Sequence, residues 1–548
     1  MQSVKVIPLG GCGEIGKNMT VIEQGDDIVV VDAGLSFPTD DMHGVDIVIP
    51  DFSYLLANKS KVRGIVLTHA HEDHVGALPY LLQELHVPVY GSQLTIELVK
   101  RKLLERFAER DLDLRIFEKE KSFLLGSLEI EPIFVTHSLP DAYAIAIWTA
   151  VGIVLFTGDF KFDFTPIDGR LSEIARFGEL GDEGVVLLLS DSTNAEMPGW
   201  SPSERSVAAP LKRAFQEAPG RVLLTTFASS LHRLQQVFTV AHETGRKVAI
   251  AGRRMDINTQ IASEKGFLKI PDNTYIRLND IDKYDDDRVV ILTTGSQGEP
   301  LAALSRMSNE EYPKMAIKPG DTVIYSARPI PGNEASIYQT INRIFRQGAR
   351  VLYGPEEQLH VSGHGYREEI KMMINLTRPH YVAPVHGEPR HQYHMGHLAV
   401  EMGYSEENII LLENGSQLIL EKEGAYMGDN VVCGRVLVDG SGQTGVSDEV
   451  LRDRRNLAND GVVFVNVAID SDAGKIVGAP EVVGKGVVAL DGEVEELKAV
   501  LVDLLSSYSH AELRDTGGVH QEVSEVTRKF LRRAINRRPL VVATVVDV

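Results

Sequence analysis

The chain has 548 residues, of which 43% are hydrophobic and 24% charged, and this composition predicts a globular protein rather than a disordered one. At roughly 100–200 residues per domain, the length indicates about three domains. The formal net charge of −21 argues against a protein that coats nucleic acid through a basic surface. It does not exclude a nuclease, because metal ions can make a cleft locally positive on an acidic protein.

The two cysteines, Cys12 and Cys433, exclude a disulfide framework and a zinc site built from cysteines. Any zinc must therefore be bound by His and Asp. The chain shows no basic segment followed by an apolar run at its start, and no stretch approaches the roughly 18 apolar residues of a membrane span. We therefore expect a cytoplasmic protein with no membrane partner.

Short apolar runs alternate with turns and helical stretches along most of the chain, which predicts α/β layers. Residues 94–110 have helical periodicity. Between residues 200 and 370 the alternation is typical of βαβ units in a parallel sheet. Candidate strands are residues 28–31, 64–67, 152–156, 222–224, 248–250, 289–292 and 323–325.

The pattern divides the chain into five segments. Residues 380–430 return to strand, helix and strand and carry another histidine, so the 201–370 segment is predicted to be an insertion within one domain. Residues 431–460 are rich in Gly, Asp and Ser and are typical of a linker. The predicted limits are 1–200 and 371–430 for the catalytic domain, 201–370 for the insertion, 431–460 for the linker and 461–548 for a small α/β C-terminal domain.

The strongest chemical signal is a cluster of three histidines and one aspartate that directly follows the strand at 64–67. Its members are His69, His71, Asp73 and His74. Neutral imidazole and carboxylate suit zinc, and the spacing lets alternate side chains turn to one side. The alternative is that three histidines lie close together on a solvated loop by chance.

Three further residues follow predicted strands: His137, Asp159 and His386. Alone, each is more often a turn residue or a cap, but with the first cluster they complete a set of ligands at strand ends. A carboxylate such as Asp159 can bridge two metals, and His386 would complete the second one. Two metals can hold a hydroxide as the nucleophile for an in-line displacement at phosphorus, so no Ser or Cys nucleophile is needed.

These residues resemble the signature of the metallo-β-lactamase superfamily, His69-x-His71-x-Asp73-His74 followed by His137 and Asp159. Asp191, His364 and His386 match motifs A, B and C of its β-CASP nucleases. The stretches at 8–16, 226–230 and 450–455 are similar to the bacterial ribonuclease J family, and the resemblance covers nearly the whole chain. It implies an αββα sandwich interrupted by a β-CASP α/β domain.

The resemblance also implies a role for each position. One metal is expected on His69, His71 and His137, the other on Asp73, His74 and His386, with Asp159 bridging and Asp32 supporting the ligands from behind. The expected cofactors are two divalent ions, with zinc preferred and manganese the alternative. Asp73, Asp191 and His364 are the predicted catalytic residues. His364 would donate to the scissile phosphate or protonate the leaving oxygen, with His360 competing for that role.

A pocket for a 5′-monophosphate is predicted from three small residues, Ser229, Ser362 and Gly363, together with His364. Small residues let backbone amides approach phosphate oxygens, and hydroxyls add donors. The alternative for Ser229 is that it caps the helix that follows. The histidines at 391, 394 and 397 are interpreted as a solvated helix face, and the glycines at 10–16 as a tight turn under the metal site.

By resemblance, the expected activity is 5′-to-3′ exonucleolytic cleavage of 5′-monophosphorylated RNA, with endonucleolytic cleavage as well, in RNA maturation and decay. Single-stranded RNA would lie between the two large domains. A homodimer or homotetramer formed with the C-terminal domain and partners from RNA degradation are also expected. Two alternatives stay open from the sequence: a small-molecule hydrolase such as a thioesterase, and a non-catalytic RNA-binding subunit.

Overall fold

The computed structural model describes residues 3–39, 41–119, 121–313, 315–330, 332–442 and 444–548. The chain divides into two compact units. One comprises Met1–Ser36 and Val48–Arg435, and the other comprises Phe37–Ile47 and Val436–Val548.

The first part of the larger unit alternates short strands and helices, as the sequence predicts. The strands are β1 Val4–Gly10, β2 Met19–Gln24, β3 Asp27–Val31, β4 Ile47–Pro50, β5 Val62–Val66, β6 Val89–Gly91, β7 Leu114–Ile116, β8 Phe123–Leu125, β9 Leu128–Val135, β10 Ala142–Thr149, β11 Gly152–Phe156 and β12 Val185–Asp191. The helices are α1 Ser53–Ala57, α2 Glu72–Val75, α3 Leu78–Glu84, α4 Gln93–Leu103 and α5 Ile174–Glu183.

The inserted segment forms a parallel α/β domain of its own. Its helices are α6 Ala208–Glu217, α7 Leu231–Glu243, α8 Arg253–Glu264, α9 Ala303–Ser308 and α10 Glu334–Arg346. Its strands are β13 Val222–Thr225, β14 Lys247–Ala251, β15 Val289–Thr293, β16 Thr322–Tyr325 and β17 Arg350–Leu352, all parallel in the order β14-β15-β13-β16-β17. The strands are almost wholly buried, as is usual when helices cover both faces of a parallel sheet.

After the insertion the chain returns to the first sheets. The returning elements are α11 Arg367–Thr377, β18 Tyr381–Val385, α12 Pro389–Glu401, β19 Leu418–Glu421 and β20 Gly424–Met427. They complete an eight-stranded sheet, β20-β19-β1-β2-β3-β5-β6-β7, and a six-stranded sheet, β18-β12-β11-β10-β9-β8. One core joins Val6 and Val29 of the first sheet to Ile145 and Leu187 of the second. The sheets therefore pack face to face, and α5, α11 and α12 cover the outer face of the six-stranded sheet.

The smaller unit is an α/β module whose central strand is buried on one face. Its elements are β21 Arg435–Val438, α13 Asp448–Asp460, β22 Val462–Asp470, β23 Lys475–Ile476, β24 Glu481–Lys485, α14 Val494–Ser506, α15 His510–Leu513, α16 Thr516–Ala534 and β25 Leu540–Asp547. Burial alternates along β22, and its inner face packs against the leucines of α14 and α16. This alternation is what a half-covered sheet requires.

The structure differs from the local predictions in two places. The helix predicted at 94–110 ends at Leu103, where basic residues fill the last turn. The segment predicted as a linker, 431–460, contains the strand β21 and the helix α13. Ser447 caps the start of α13, where its side chain accepts a hydrogen bond from the amide of Val450. The domain limits drawn from the sequence stay a prediction.

No helix in the described part of the chain is both long enough and apolar enough to cross a membrane.

Candidate metal centre

The site lies at one edge of the two packed sheets, where five strands end. β9 and β11 run in the same direction because each is antiparallel to β10, and β11, β12 and β18 are parallel neighbours. Their carboxyl ends therefore meet at the same edge, joined by the end of β5 from the other sheet. The residues carried there are His69, His71, Asp73, His74, His137, Asp159, Asp191 and His386.

Asp32, just beyond β3, supports the histidine cluster from below. It is fully buried and has a left-handed backbone, φ 62°. One carboxylate oxygen accepts the amide of Thr68 at 2.8 Å. The other accepts the Thr68 hydroxyl at 2.8 Å and the ring Nδ1 of His74 at 2.7 Å. Asp32 thus fixes both the start of the loop and the ring of its last histidine.

Three imidazoles form the first group. Nδ1 of His71 lies 3.0 Å from Nε2 of His69 and 3.1 Å from Nε2 of His137. Ligands arranged tetrahedrally around a zinc ion at 2.0–2.1 Å stand about 3.3 Å apart, so these separations match a shared ion. Together with Asp159, the nitrogens offer four ligand atoms within 4.8 Å of one another.

In each ring, one nitrogen faces the group and the other, outer nitrogen faces away from it. The hydrogen bond of the outer nitrogen shows whether the nitrogen that faces the group carries a lone pair. Nδ1 of His137 lies 2.8 Å from the carbonyl oxygen of Gly363, and a carbonyl can only accept. Nδ1 of His69 lies 3.1 Å from the Thr68 hydroxyl, whose proton is used on Asp32. In the neutral rings of His69 and His137 the Nε2 atoms are therefore lone-pair donors, as metal ligands must be.

Burial keeps all three imidazoles uncharged. It lowers the pKa of His71 to about 4 and places the pKa of His69 and of His137 well below the ordinary value for histidine. Each ring then enters the group neutral, without having to lose a proton to bind a cation.

The second group holds more negative charge. It consists of Asp73, His74, His386 and again Asp159, with one ligand atom from each within 4.8 Å of the others. Nε2 of His74 lies 3.2 Å from Asp159, and Nε2 of His386 lies 3.2 Å from Asp73. Burial alone would lower the pKa of His386, but the carboxylates of Asp159 and Asp73 outweigh it and raise that pKa to about 10. The negative charge that raises this pKa would also attract a metal cation.

Asp159 belongs to both groups. Its Oδ2 lies 3.2 Å from His74 and 3.6 Å from His69, and its Oδ1 lies 2.7 Å from Nδ1 of His386. Burial would raise the pKa of Asp159, but His386 and His74 hold it well below its usual value, so the carboxylate is charged. Among the described residues, Nε2 of His386 is buried without a well-directed hydrogen-bond partner. The donors present therefore fit two divalent ions that share Asp159.

His364 and Asp191 stand beside the second group as a pair. Nδ1 of His364 lies 2.7 Å from Oδ2 of Asp191 and 3.9 Å from Asp159. Burial lowers the pKa of His364, but Asp191 and Asp159 raise it more, so the net shift is upward. A histidine that is held by a carboxylate through Nδ1 and is 21% exposed is suited to donate a proton through its other nitrogen.

The loop before His364 is held by contacts that the sequence did not reveal. Lys161 is buried, with 1% of its surface exposed, and its Nζ donates to the carbonyl oxygens of Ser362 and Pro202, each at 3.2 Å. Asn194 donates to the Ser362 hydroxyl at 2.8 Å and to the His364 carbonyl at 3.1 Å. No sequence signal separates Lys161 from a surface lysine, since its burial depends on segments 40 and 200 residues away.

The residues predicted to bind phosphate come from two loops of the chain. Ser362 and Gly363 adjoin His364, but Ser229 lies on the loop after β13 and shares no hydrogen bond with them in the described part of the chain. The expectation that Ser229 caps α7 is wrong, because Ser230 occupies the cap position and makes no side-chain cap bond. His360 is half-buried, and burial together with Arg233 and Arg328 lowers its pKa well below normal, which disfavours it as a proton donor.

Two further interpretations can be compared with the structure. The solvated histidine face is wrong for His391, which is buried and accepts the amide of Glu388 at the start of α12, whereas His397 is exposed. The glycine turn lies under the site, where the carbonyl of Gly11 accepts the amide of His386 at 2.7 Å. A side chain at Gly11 would come 2.4 Å from Oδ1 of Asn18, so the close approach requires glycine.

Four family models match the chain in succession. The metallo-β-lactamase superfamily matches residues 12–223, and the β-CASP domain of ribonuclease J matches residues 219–344. A Zn-dependent metallo-hydrolase RNA specificity domain matches residues 354–411, and the ribonuclease J C-terminal domain matches residues 449–548. Together they cover both units.

Curated relatives match over nearly the full length. The chain is 41% identical to ribonuclease J of Synechocystis sp. over 98% of this chain and 86% of the relative. It is 42% identical to ribonuclease J of Thermus thermophilus (99% and 95% covered) and 38% identical to ribonuclease J2 of Bacillus subtilis (100% and 99%). A solved structure of a protein of unknown function from Enterococcus faecalis V583 has a TM-score of 0.54 at 18% identity, covering 76% of this chain and all of that one, which supports the fold alone.

Gly363→Ala tests whether the Gly363 carbonyl, in the loop before His364, holds the ring of His137 in position for metal binding. An added Cβ would lie 2.7 Å from Cε1 and 2.8 Å from Nδ1 of His137, so either the ring or the carbonyl that orients it must move. We expect divalent-metal affinity to fall about 10- to 100-fold, the usual cost of losing a ligand's supporting bond, as measured by chelator competition. Gly434→Ala, where an added Cβ meets open space, is the matched control. Equal affinities in both variants would contradict the expected role of this carbonyl.

Proposed function

The chain belongs to the ribonuclease J family of metal-dependent ribonucleases, and from that premise we propose that it degrades 5′-monophosphorylated RNA from the 5′ end and also cleaves RNA internally. The observation that carries the proposal is the pairing of a two-ion ligand set with a carboxylate-held histidine, His364, at the same strand edge. A thioesterase is disfavoured by the family, and a non-catalytic subunit by the complete ligand set.

The ligand assignment follows the two groups. We place one ion on His69, His71 and His137, the other on Asp73, His74 and His386, and Asp159 between them. Both ions are divalent; zinc is favoured by the three neutral imidazoles, and manganese is the alternative at the carboxylate-rich group. When bound, the ions would activate a water molecule for attack and withdraw charge from the phosphate oxygens.

His364 is proposed to protonate the leaving oxygen. An exonuclease that starts each round on a 5′-monophosphate must leave a new 5′-monophosphate, so the bond that breaks is the one between phosphorus and the 3′ oxygen. That oxygen departs as an alkoxide unless it receives a proton. His364 uses Nδ1 on Asp191, which leaves Nε2 to deliver the proton, and Asp191 stabilises the charged ring.

Donors left without acceptors support the 5′-phosphate pocket. The Ser362 hydroxyl accepts from Asn194 and from the amide of His364, but its own proton has no acceptor among the described residues. The amide of Gly363 is likewise unused there, as are the amide and hydroxyl of Ser229. Such donors suit a terminal phosphate, which offers several acceptor oxygens.

The proposed activity suggests a substrate, a cellular role, a compartment and partners for the protein. We propose single-stranded RNA as the substrate, roles in RNA maturation and decay, the cytoplasm as the compartment where that RNA is found, and proteins of RNA degradation as partners.

The C-terminal unit is proposed to support a homodimer or homotetramer. On the sheet face away from its helices, Phe464 pairs in register with Val483 on one side and Val542 on the other. Each of the three is 38–39% exposed, which forms an apolar row across three strands. A second copy of the same face would cover this row.

The first prediction for this function concerns the metal ligands. Asp73→Ala should lower RNA cleavage by roughly two orders of magnitude or more, because it removes one of the two carboxylates of the second group. Cleavage rates are compared with His397→Ala, an exposed histidine that should behave like the parent. Chelation should abolish the parent's activity, and restoration by Zn²⁺ or by Mn²⁺ identifies the working ion. Equal turnover by Asp73→Ala and parent at matched metal content would refute the assignment.

The second concerns the 5′ end. The parent should degrade 5′-monophosphate RNA faster than 5′-hydroxyl RNA, since each unpaired donor costs roughly 1–3 kcal/mol. It should also degrade it faster than 5′-triphosphate RNA, whose end is too bulky and too charged for the pocket. Ser362→Ala should reduce that preference more than it reduces cleavage of a circular RNA, which has no end to bind. Ser263→Ala, on α8, is the control. If the three ends are degraded at one rate, or if Ser362→Ala lowers both activities in proportion, the pocket is not formed by these residues.

The third concerns assembly. Phe464→Glu places a charge in the apolar row and should shift the mass measured by light scattering toward the monomer, while the thermal unfolding transition is retained. Leu124→Glu changes an apolar residue of the larger unit that is 70% exposed and should leave the mass unchanged. A Phe464→Glu protein with the parent's mass at the same concentration would show that another surface joins the subunits.

A further inference from the structure

Two loops leave the parallel sheet of the inserted domain side by side. The amide of Ser326 donates to the carbonyl of Thr225 at 2.9 Å, and the Thr226 hydroxyl donates to the Ser326 carbonyl at 3.2 Å. The loops after β13 and β16 are therefore neighbours at the carboxyl edge of this sheet. Crevices outside the carboxyl ends of parallel strands are where α/β domains bind ligands.

Arg328, on the second of these loops, reaches the segment that carries His364. One of its guanidinium nitrogens, Nη2, donates to the hydroxyl of Tyr366 at 3.2 Å. Tyr366 follows His364 by two residues and begins α11. The side chain of Arg328 thus lies beside the histidine loop even though its backbone belongs to the inserted domain.

The backbone of Arg328 is fixed by a buried amide. Gln297 is 4% exposed, its Nε2 donates to the Arg328 carbonyl at 2.9 Å, and its Oε1 accepts the amide of Ile330 at 2.7 Å. A guanidinium on a fixed backbone with one anchored nitrogen loses little entropy when it binds a further acceptor.

The charge of Arg328 is uncompensated within the described residues, where no carboxylate forms an ion pair with it. Its neighbour Arg233 is different: it is buried and its guanidinium is used by Glu204 and by the carbonyl of Leu359. Arg328 is exposed and keeps most of its five donors for another partner. Burial is the largest cause of the lowered pKa of His360, and the positive charges of Arg233 and Arg328 lower that pKa further.

The net charge of the chain makes such a cation significant. With a formal charge of −21, the protein as a whole repels RNA, so attraction must come from metal ions and from local unpaired cations. Arg328 lies next to the histidine loop and has no carboxylate partner among the described residues, so it can supply this attraction for RNA. A planar guanidinium also matches a phosphate with two parallel hydrogen bonds.

We propose that Arg328 binds a backbone phosphate of the RNA substrate close to the linkage being cleaved. The contact is to phosphate and is independent of base sequence. This inference rests on the proposed cleavage of RNA at the metal centre.

The test compares Arg328→Gln, Arg328→Lys and the control Arg346→Gln, an exposed arginine of the same domain on α10. KM and kcat are measured on 20-nucleotide 5′-monophosphorylated RNAs of A and of U at several salt concentrations. We expect Arg328→Gln to raise KM about 5- to 10-fold on both RNAs with kcat nearly unchanged. The slope of log(kcat/KM) against log salt should fall by about 0.7, the value for one lost single-strand phosphate contact. Arg328→Lys should keep the slope, because it keeps the charge.

Several outcomes would overturn the proposal. A parent-like KM and slope for Arg328→Gln, or equal shifts in Arg328→Gln and Arg346→Gln, would remove the specific contact. A KM that rises with only one of the two RNAs would indicate base recognition instead. A fall in kcat at constant KM would indicate that Arg328 acts in the bond-breaking step. Failure of the proposed function is recognised separately, because the parent itself would then not cleave either RNA.

Discussion

The site is organised around one buried carboxylate, Asp159. A charge removed from water is tolerated only when opposite charge and hydrogen bonds surround it. Here the histidines of both groups surround it, and its two oxygens face different members of them. Five strands end within reach of this side chain, so the fold delivers to one point ligands that are as much as 317 residues apart, from His69 to His386.

A second layer of buried polar contacts holds the ligands in position. Asp32 holds His74, Thr68 holds His69, and the Gly363 carbonyl holds His137. In each case the hydrogen bond engages one ring nitrogen, and the other ring nitrogen faces the candidate metal site. Supporting bonds of this kind fix tautomer and orientation, which is why a metal site depends on residues that never touch the metal.

The inserted domain takes part in the site through a few buried links. Arg233 of α7 donates to Glu204 and to the carbonyl of Leu359, and Lys161 donates to the carbonyl of Ser362. The segment that ends in His364 is therefore held from both sides. Because breaking one member of a buried charged pair leaves the other uncompensated, this arrangement resists displacement of His364 relative to the candidate metal ligands.

The sequence by itself determined the α/β class, the insertion and the candidate metal ligands, because a dense cluster such as His69–His74 and single residues after apolar strands are visible without a structure. Tertiary structure decided what depends on distant segments: the burial of Lys161 and His391, the use of the Gly363 carbonyl by His137, and the position of Arg328 beside Tyr366. Local patterns report which face of an element is apolar, but not which polar group from elsewhere meets it. That pairing is set only when the sheets pack and strand ends converge.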